Sequence, residues 1–405
     1  MKINNIKLLR CSNCKVDEDC KLILDKNNAE TANGYIFSGE LFCKECQNKY
    51  FITNGIPNLL LPEVRDLLEK RRFLQFRETL NKLKKTNETF NDYESVMDNT
   101  HLLVEEIKAA ENMASGYRRY VADFCGSAPS SATGFEKYED LMLRKIIDQY
   151  VKNNKKLVFI EVGSGPGRYL LRYGAKISTN KDSCKKYRDH ADLQRFYKYD
   201  KDYEENLQLI IGIDFSESMI KNAQEWLKEN DLQNLVYNDR ILQIIADIQN
   251  LNLSFKDTPY EHSYKVVACL FQTIGNQLNH QLRVNLVKKM MELVKPYGTI
   301  LISAFHKDVF SEFIPKYYQK IIPSIGKITF IDKEKGTLKT KKGVFSHWFS
   351  PEEIKNILRD ANINKNKITI KTGNDLPLFR KDVDYVSLGD QEDIRKRAIF
   401  AIIDV

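Results

Sequence analysis

The run Leu157-Val158-Phe159-Ile160-Glu161-Val162 passes directly into Gly163-Ser164-Gly165-Pro166-Gly167, and a helix-like stretch opens at Arg168. Nothing else in the chain restricts its fold as strongly. A short, nearly continuous apolar run suits a strand buried on both faces, as in a parallel sheet. Three glycines within the next five residues permit a tight turn and let the main chain approach a ligand closely. Strand, glycine turn and helix in that order predict an α/β fold with a nucleotide-type ligand. Further apolar runs at 209–214, 241–246, 265–270 and 300–304 predict four more strands, and 397–405 a last one. Ser350, Pro351 and Glu353 have the pattern of a capping box opening a helix.

One acid narrows the ligand. A dinucleotide turn needs G-x-G-x-x-G, but here the third glycine is already at 167 and Arg168 stands in the fingerprint position. Glu161 lies in the last residues of the strand, and a carboxylate is a poor neighbour for a pyrophosphate. It suits the cationic amino and sulfonium groups of S-adenosylmethionine. Glu161 to Gly167 resembles the first motif of class I methyltransferases, acid-hydrophobic-Gly-x-Gly-x-Gly, and the resemblance continues in order over 157–304. It implies a Rossmann-like class I methyltransferase sheet with helices on both faces, and S-adenosylmethionine as cofactor. It places Gly163, Ser164, Gly165 and Gly167 around the donor and gives Asp214 the ribose hydroxyls. Phe215, Ser216 and Met219 belong to the adjoining D-F-S-x-x-M signature, with Ser216 also a natural helix N-cap. The resemblance sets Asp247 by the adenine amino group and Ile248 beside the ring. It puts Phe271 and Gln272 at the cofactor-facing end of the fourth strand. The K-P-x-G turn at 295–298 is a further family feature, with Tyr297 where a second glycine is usual.

A separate unit precedes this. Cys11 and Cys14 form one C-x-x-C, and Cys43 and Cys46 form another after a gap of 28 residues. Two such turns supply four thiolates for a tetrahedral zinc site, closed and structural. A segment this small has little apolar core, so the metal supplies much of its folding free energy. With the tail Tyr50-Phe51-Ile52-Thr53-Asn54-Gly55-Ile56-Pro57-Asn58-Leu59-Leu60, residues 6–61 resemble the zinc-ribbon proteins that serve as activating subunits of RNA and protein methyltransferases. That resemblance implies a non-catalytic ribbon and a protein partner reached through it. The organisation expected is a zinc ribbon at 1–61, a helical linker at 62–92 and a class I methyltransferase domain at 93–405. The last carries an insert at about 176–206 and a cap and substrate region at about 305–348.

At 405 residues the chain has room for two to four domains. Its net charge of +8 permits an anionic partner without demanding one, and the lysines concentrate around 311–345. No apolar run approaches the ~18 residues of a membrane helix. The first residues lack a signal-peptide pattern, so a cytoplasmic location without membrane contact is expected. Tyr117 and Tyr120 fall in a segment that in related enzymes covers the donor. His306 follows the fifth strand, where acceptor-side residues lie in such enzymes, and is the candidate base for an ammonium acceptor. In place of the N-P-P-Y element of enzymes that methylate planar amino groups stands Phe271-Gln272-Thr273-Ile274-Gly275-Asn276. That favours a small-molecule or peptide-like acceptor. Fused ribbons in ribosomal RNA guanine methyltransferases keep an RNA acceptor open, with the ribbon docking substrate or partner. A non-catalytic scaffold is the third reading.

Overall fold

The computed structural model describes residues 1–14, 20–70, 135–189, 194–311, 327–341, 343–376 and 398–405, with single positions at 104, 107, 108 and 396. The linker beyond 70, Tyr117, Tyr120 and positions 312–326 of the lysine-rich stretch lie outside the described residues.

Five strands form the N-terminal part: β1 (Leu22–Leu24), β2 (Glu30–Ala32), β3 (Tyr35–Cys43), β4 (Lys49–Thr53) and β5 (Ile56–Asn58). The central strands are β6 (Leu157–Val162), β7 (Leu207–Asp214), β8 (Ile241–Ile245), β9 (Tyr264–Cys269) and β10 (Gly298–Phe305). A small antiparallel sheet of β11 (Ile328–Asp332), β12 (Thr337–Thr340) and β13 (Phe345–His347) follows. The chain closes with β14 (Ile368–Lys371) and β15 (Ala398–Asp404).

The large sheet runs β1-β3-β4-β5-β8-β7-β6-β9-β10-β15-β14, with β2 on β3. From β8 to β10 all pairings are parallel, and β15 inserts antiparallel between β10 and β14. This is the large, mostly parallel α/β sheet with helices on both faces that the sequence predicts. Successive residues of β6 serve opposite cores. Leu157 and Phe159 pack on the face of helices α1 (Phe135–Val151) and α2 (Arg168–Ile177), while Val158, Ile160 and Val162 pack on the other. Helix α3 (Glu217–Glu229) sends Trp226 and Leu227 to the first face, and α4 (His280–Val294) and α5 (Pro351–Asp360) cover the second. Each fully buried aliphatic side chain in these layers stabilises the fold by roughly 1.5–3 kcal/mol. Ser216 caps α3 through Met219 N–H, and Ser350 with Glu353 completes the capping box of α5, as their sequence patterns predict.

The N-terminal part is continuous with this sheet. Asn58 of β5 pairs parallel with Ile245 of β8, and Leu59 N–H donates to Ile245 O at 2.7 Å. Leu8, Leu9, Leu41, Tyr50 and Ile52 share one buried cluster with Ile211 and Leu242. The N-terminal strands therefore pack on the edge of the chain's own sheet. Residues 62–70 are helical, and Val64 and Leu68 cover Ile56, Ile220 and Ile245.

The stretch expected as an insert at 176–206 is an elaboration of the sheet's amino end. It joins the end of α2 to the start of β7, and Lys156 Nζ at the start of β6 donates to Glu205 O at 2.8 Å. Tyr187, Tyr197 and Tyr203 are buried in it, Tyr203 stacking on Tyr173 with centroids 6.0 Å apart. The glycine turn follows the opposite, carboxyl end of β6. Among the described residues, no helix is long and apolar enough to cross a membrane.

Candidate functional site

The carboxyl ends of β6, β7, β8 and β9 bring the predicted donor residues together. Gly163, Gly165 and Gly167 have φ of 69°, 51° and 83°, in the left-handed region that glycine enters without a Cβ penalty. At Gly163 a Cβ would lie 2.4 Å from Thr273 Cγ2, so the turn packs directly on the chain after β9. At Gly165 a Cβ would meet nothing within 4 Å. The apex of the turn thus faces open space.

Asp214 fixes that apex. Its Oδ2 accepts Gly165 N–H at 2.8 Å and its Oδ1 accepts Ser216 N–H at 2.9 Å. Burial raises its carboxyl to about 6, against the pull of those two N–H groups. Glu161 is buried, and its Oε2 has no hydrogen-bond partner among the described residues. Burial pushes this carboxyl well above the ordinary range, opposed by Arg168 and reinforced by Glu139 and Asp214. The Ser164 hydroxyl is also buried without a partner. An orphan carboxylate oxygen in a buried setting is costly unless a cationic or hydrogen-bonding ligand completes it.

Asp247 follows β8 and holds an Asx turn, its Oδ1 accepting Gln249 N–H at 3.1 Å and Oδ2 Asn250 Nδ2 at 2.6 Å. Its carboxyl is raised by burial, with those donors pulling the other way. Ile248 beside it is 7% exposed, and Phe215 is half-buried. Met219 is buried in α3. Gln272 follows the end of β9, as expected. Its amide is consumed inside the protein, Nε2 donating to His347 O and Oε1 accepting Phe305 N–H at 2.6 Å.

Glu139 and Ser303 were not legible as site residues. Glu139, on α1, is fully buried and receives Arg168 NH2 at 2.5 Å, Phe271 N–H at 2.5 Å and the Ser303 hydroxyl. Arg168, the residue after the third glycine, lies 5.5 Å from the Phe271 ring centroid. Phe271 begins an aromatic wall with Phe305, Phe135 and Trp348, centroids 4.7–6.3 Å apart.

His306 was expected as a base. Its Nδ1 instead accepts Asp308 N–H at 3.2 Å and caps a short 3₁₀ turn at Lys307–Val309. Burial lowers its basicity, with Asp308 opposing. In the neutral ring the proton then sits on Nε2, leaving no free lone pair. Using Nδ1 as a base costs the cap.

The four expected thiols converge. The sulfurs of Cys11, Cys14, Cys43 and Cys46 all lie within 4.8 Å of one another, with Cys11–Cys46 at 3.4 Å and Cys14–Cys43 at 3.7 Å. A tetrahedral zinc ~2.3 Å from each sulfur sets the sulfurs ~3.8 Å apart, which this spacing fits. Tyr50 Oη lies 3.2 Å from the Cys11 sulfur. Asn252 Nδ2 reaches the carbonyls of Cys11 and Cys14 at 3.2 and 3.4 Å, tying the first knuckle to the main sheet's loops.

No protein-family model matches the chain, and no curated protein sequence matches it. Solved structures do. An S-adenosylmethionine-dependent methyltransferase from Clostridium acetobutylicum is 10% identical, with 72% of this chain and 98% of that one covered and a TM-score of 0.39. The 1,6-didemethyltoxoflavin N1-methyltransferase of Burkholderia thailandensis is 11% identical, covering 79% and 99%, with a TM-score of 0.35. Magnesium protoporphyrin IX methyltransferase from Synechocystis is 9% identical, covering 77% and 99%, with a TM-score of 0.35.

Proposed function

We propose that this chain is a methyltransferase that takes the methyl group of S-adenosylmethionine to a small-molecule or peptide-like acceptor, with a structural zinc ribbon on its sheet edge. One observation carries the reading: a glycine apex facing open space stands between a buried carboxylate with an orphan oxygen, Glu161, and the strand-terminal Asp214. An anionic pyrophosphate is repelled there, whereas a ligand with a cationic amino-acid end and a ribose is matched at both ends.

The bound donor would supply an already activated methyl on a sulfonium. The protein's part is positioning. Glu161 receives the amino group, Asp214 the ribose hydroxyls, and Asp247 with Ile248 the adenine. The Ser164 hydroxyl and the glycine main chain would line the middle. Phe271 and the aromatic wall behind it exclude water and suit a compact organic acceptor. His306 is left out, because its lone pair holds the cap. Cys11, Cys14, Cys43 and Cys46 would hold zinc.

Titration calorimetry tests this. S-adenosylmethionine and its demethylated product S-adenosylhomocysteine are expected to bind one to one, and NAD and ATP not at all. Absence of heat at millimolar donor leaves the scaffold reading.

The pH dependence has a definite sign. Asp214 titrates near 6 in the folded protein, against 3.8 when unperturbed. Between these values the folded chain holds the extra proton, so this group's contribution to stability falls as pH rises from about 4 to 6. Donor binding runs the other way, because the ribose hydroxyls need the ionised acceptor. Affinity for S-adenosylhomocysteine is expected to be flat above pH 7 and to fall by up to about tenfold per unit below pH 6. A flat profile from pH 5 to 8 contradicts the role of Asp214.

A second reading, an RNA acceptor, is favoured by the β11–β12 hairpin. It exposes Phe330 at 52% and Ile331 at 40% among Lys327, Lys333, Lys335, Lys339 and Lys341. Co-purified nucleic acid released steeply by salt would support it over the small acceptor.

A further inference from the structure

We infer that Glu139 is a positioning residue that presets the Phe271–Gln272 turn at the acceptor side of the cleft. Phe271 and Gln272 have φ of 48° and 68°, two successive non-glycine residues in the left-handed region. Such backbone persists only where the surroundings over-determine it, and it concentrates at functional sites.

The surroundings here are specific. Phe271 N–H is held by Glu139 Oε1 at 2.5 Å and by Ser303 Oγ at 2.9 Å. The Ser303 hydroxyl donates to the same carboxylate oxygen. Gln272 is fixed from the far side by His347 O and Phe305 N–H. Arg168 pairs with the other oxygen of Glu139 and covers the Phe271 ring. One buried carboxylate therefore joins α1, the helix after the glycine turn, the end of β9 and the middle of β10. A buried ion pair is by itself weak evidence for stability, since apolar side chains often replace one without loss. Its placement under a strained turn is what an apolar side chain cannot reproduce, because the Phe271 N–H would then be left to the Ser303 hydroxyl alone. The half-buried Phe271 ring is thereby fixed beside the glycine turn, on which Thr273 also packs.

The site's assignment as the acceptor side rests on the proposed methyltransferase reading, but the clamp does not. In the full chain, the Phe271 amide proton should resonate far downfield, as expected of an N–H bonded to a buried carboxylate. It should move upfield in Glu139→Gln. Glu139→Asp keeps the charge opposite Arg168 but is one methylene too short, so it should show the same move even if Glu139→Gln fails to fold. A cycle with Phe271→Gly separates positioning from simple ion pairing. Glycine takes a positive φ freely, so the loss of melting temperature caused by Glu139→Asp should shrink in the Phe271→Gly background. The accompanying loss of S-adenosylhomocysteine affinity, about tenfold for one charge-assisted hydrogen bond, should shrink with it. An unmoved amide resonance, or equal melting losses in both backgrounds, overturns the inference. A wild-type protein that fails to bind S-adenosylhomocysteine sinks the methyltransferase reading instead, and the resonance and melting cycle still decide the clamp.

Discussion

Asp214→Asn is expected to weaken S-adenosylmethionine binding about a hundredfold while leaving the melting temperature nearly unchanged. The carboxylate accepts the N–H groups of Gly165 and Ser216 with different oxygens. An amide can accept only one of them and turns its NH₂ toward the other. The apex of the glycine turn loses its anchor, and the ribose loses a charged acceptor. Hydrogen bonds to charged groups contribute about 1.5–3 kcal/mol each, or roughly ten- to 150-fold in affinity. Stability behaves differently. Because burial raises this carboxyl to about 6, its ionised form is a cost to the free protein at neutral pH, and Asn removes that cost. Calorimetry beside a thermal melt checks both halves. Weak binding that merely tracks a lower melting temperature would show that Asp214 is a fold residue rather than a donor ligand.

The second large effect concerns the ribbon. Stripping the metal with a chelator, or replacing Cys43 with Ser, is expected to lower the melting temperature by ten degrees or more and to cause association at high protein concentration. Structural zinc sites contribute on the order of 10 kcal/mol to the folding of small domains. At about 2 cal/mol/K of unfolding entropy per residue, 1 kcal/mol moves the melting temperature of a 405-residue chain by about 1 °C. The damage spreads because the ribbon covers the β8 edge of the main sheet through Asn58 and Leu59. Uncovered, that edge offers unpaired main-chain groups to other chains. Melts with and without chelator, beside a metal assay of the purified protein, check this. A metal-free protein that melts at the same temperature contradicts it.

How much of this could be read from residues alone depended on the range of the interactions. β6 was legible to the residue because its apolar run ends abruptly in glycines. β7 begins two residues before the expected 209 because polar Gln208 interrupts the pattern, yet its side chain is held by Ser263 across the sheet's amino end. β10 extends from 298 to 305 because β15 pairs along it from Thr299 to Phe305. The thiol cluster was legible from spacing, since two tight turns bring four sulfurs together wherever the intervening hairpin runs. The ribbon's attachment to β8 was hidden, because a single register between Asn58 and Ile245 leaves no local pattern. Glu139 was hidden for the same reason. Its partners Arg168, Phe271 and Ser303 lie 29, 132 and 164 positions away, and only the sheet order makes them neighbours. His306 and Gln272 read as cleft residues by position, but local geometry turned one into a cap and the other into a strut.

A crystal structure of the full chain grown with S-adenosylhomocysteine tests the central claim most directly. The account predicts the amino group against Glu161, the ribose hydroxyls on Asp214, adenine beside Asp247 and Ile248, and the sulfur facing Phe271 across the open apex of Gly165. A cleft that stays empty at saturating ligand, or that admits a pyrophosphate-bearing nucleotide over Gly165 instead, would contradict it.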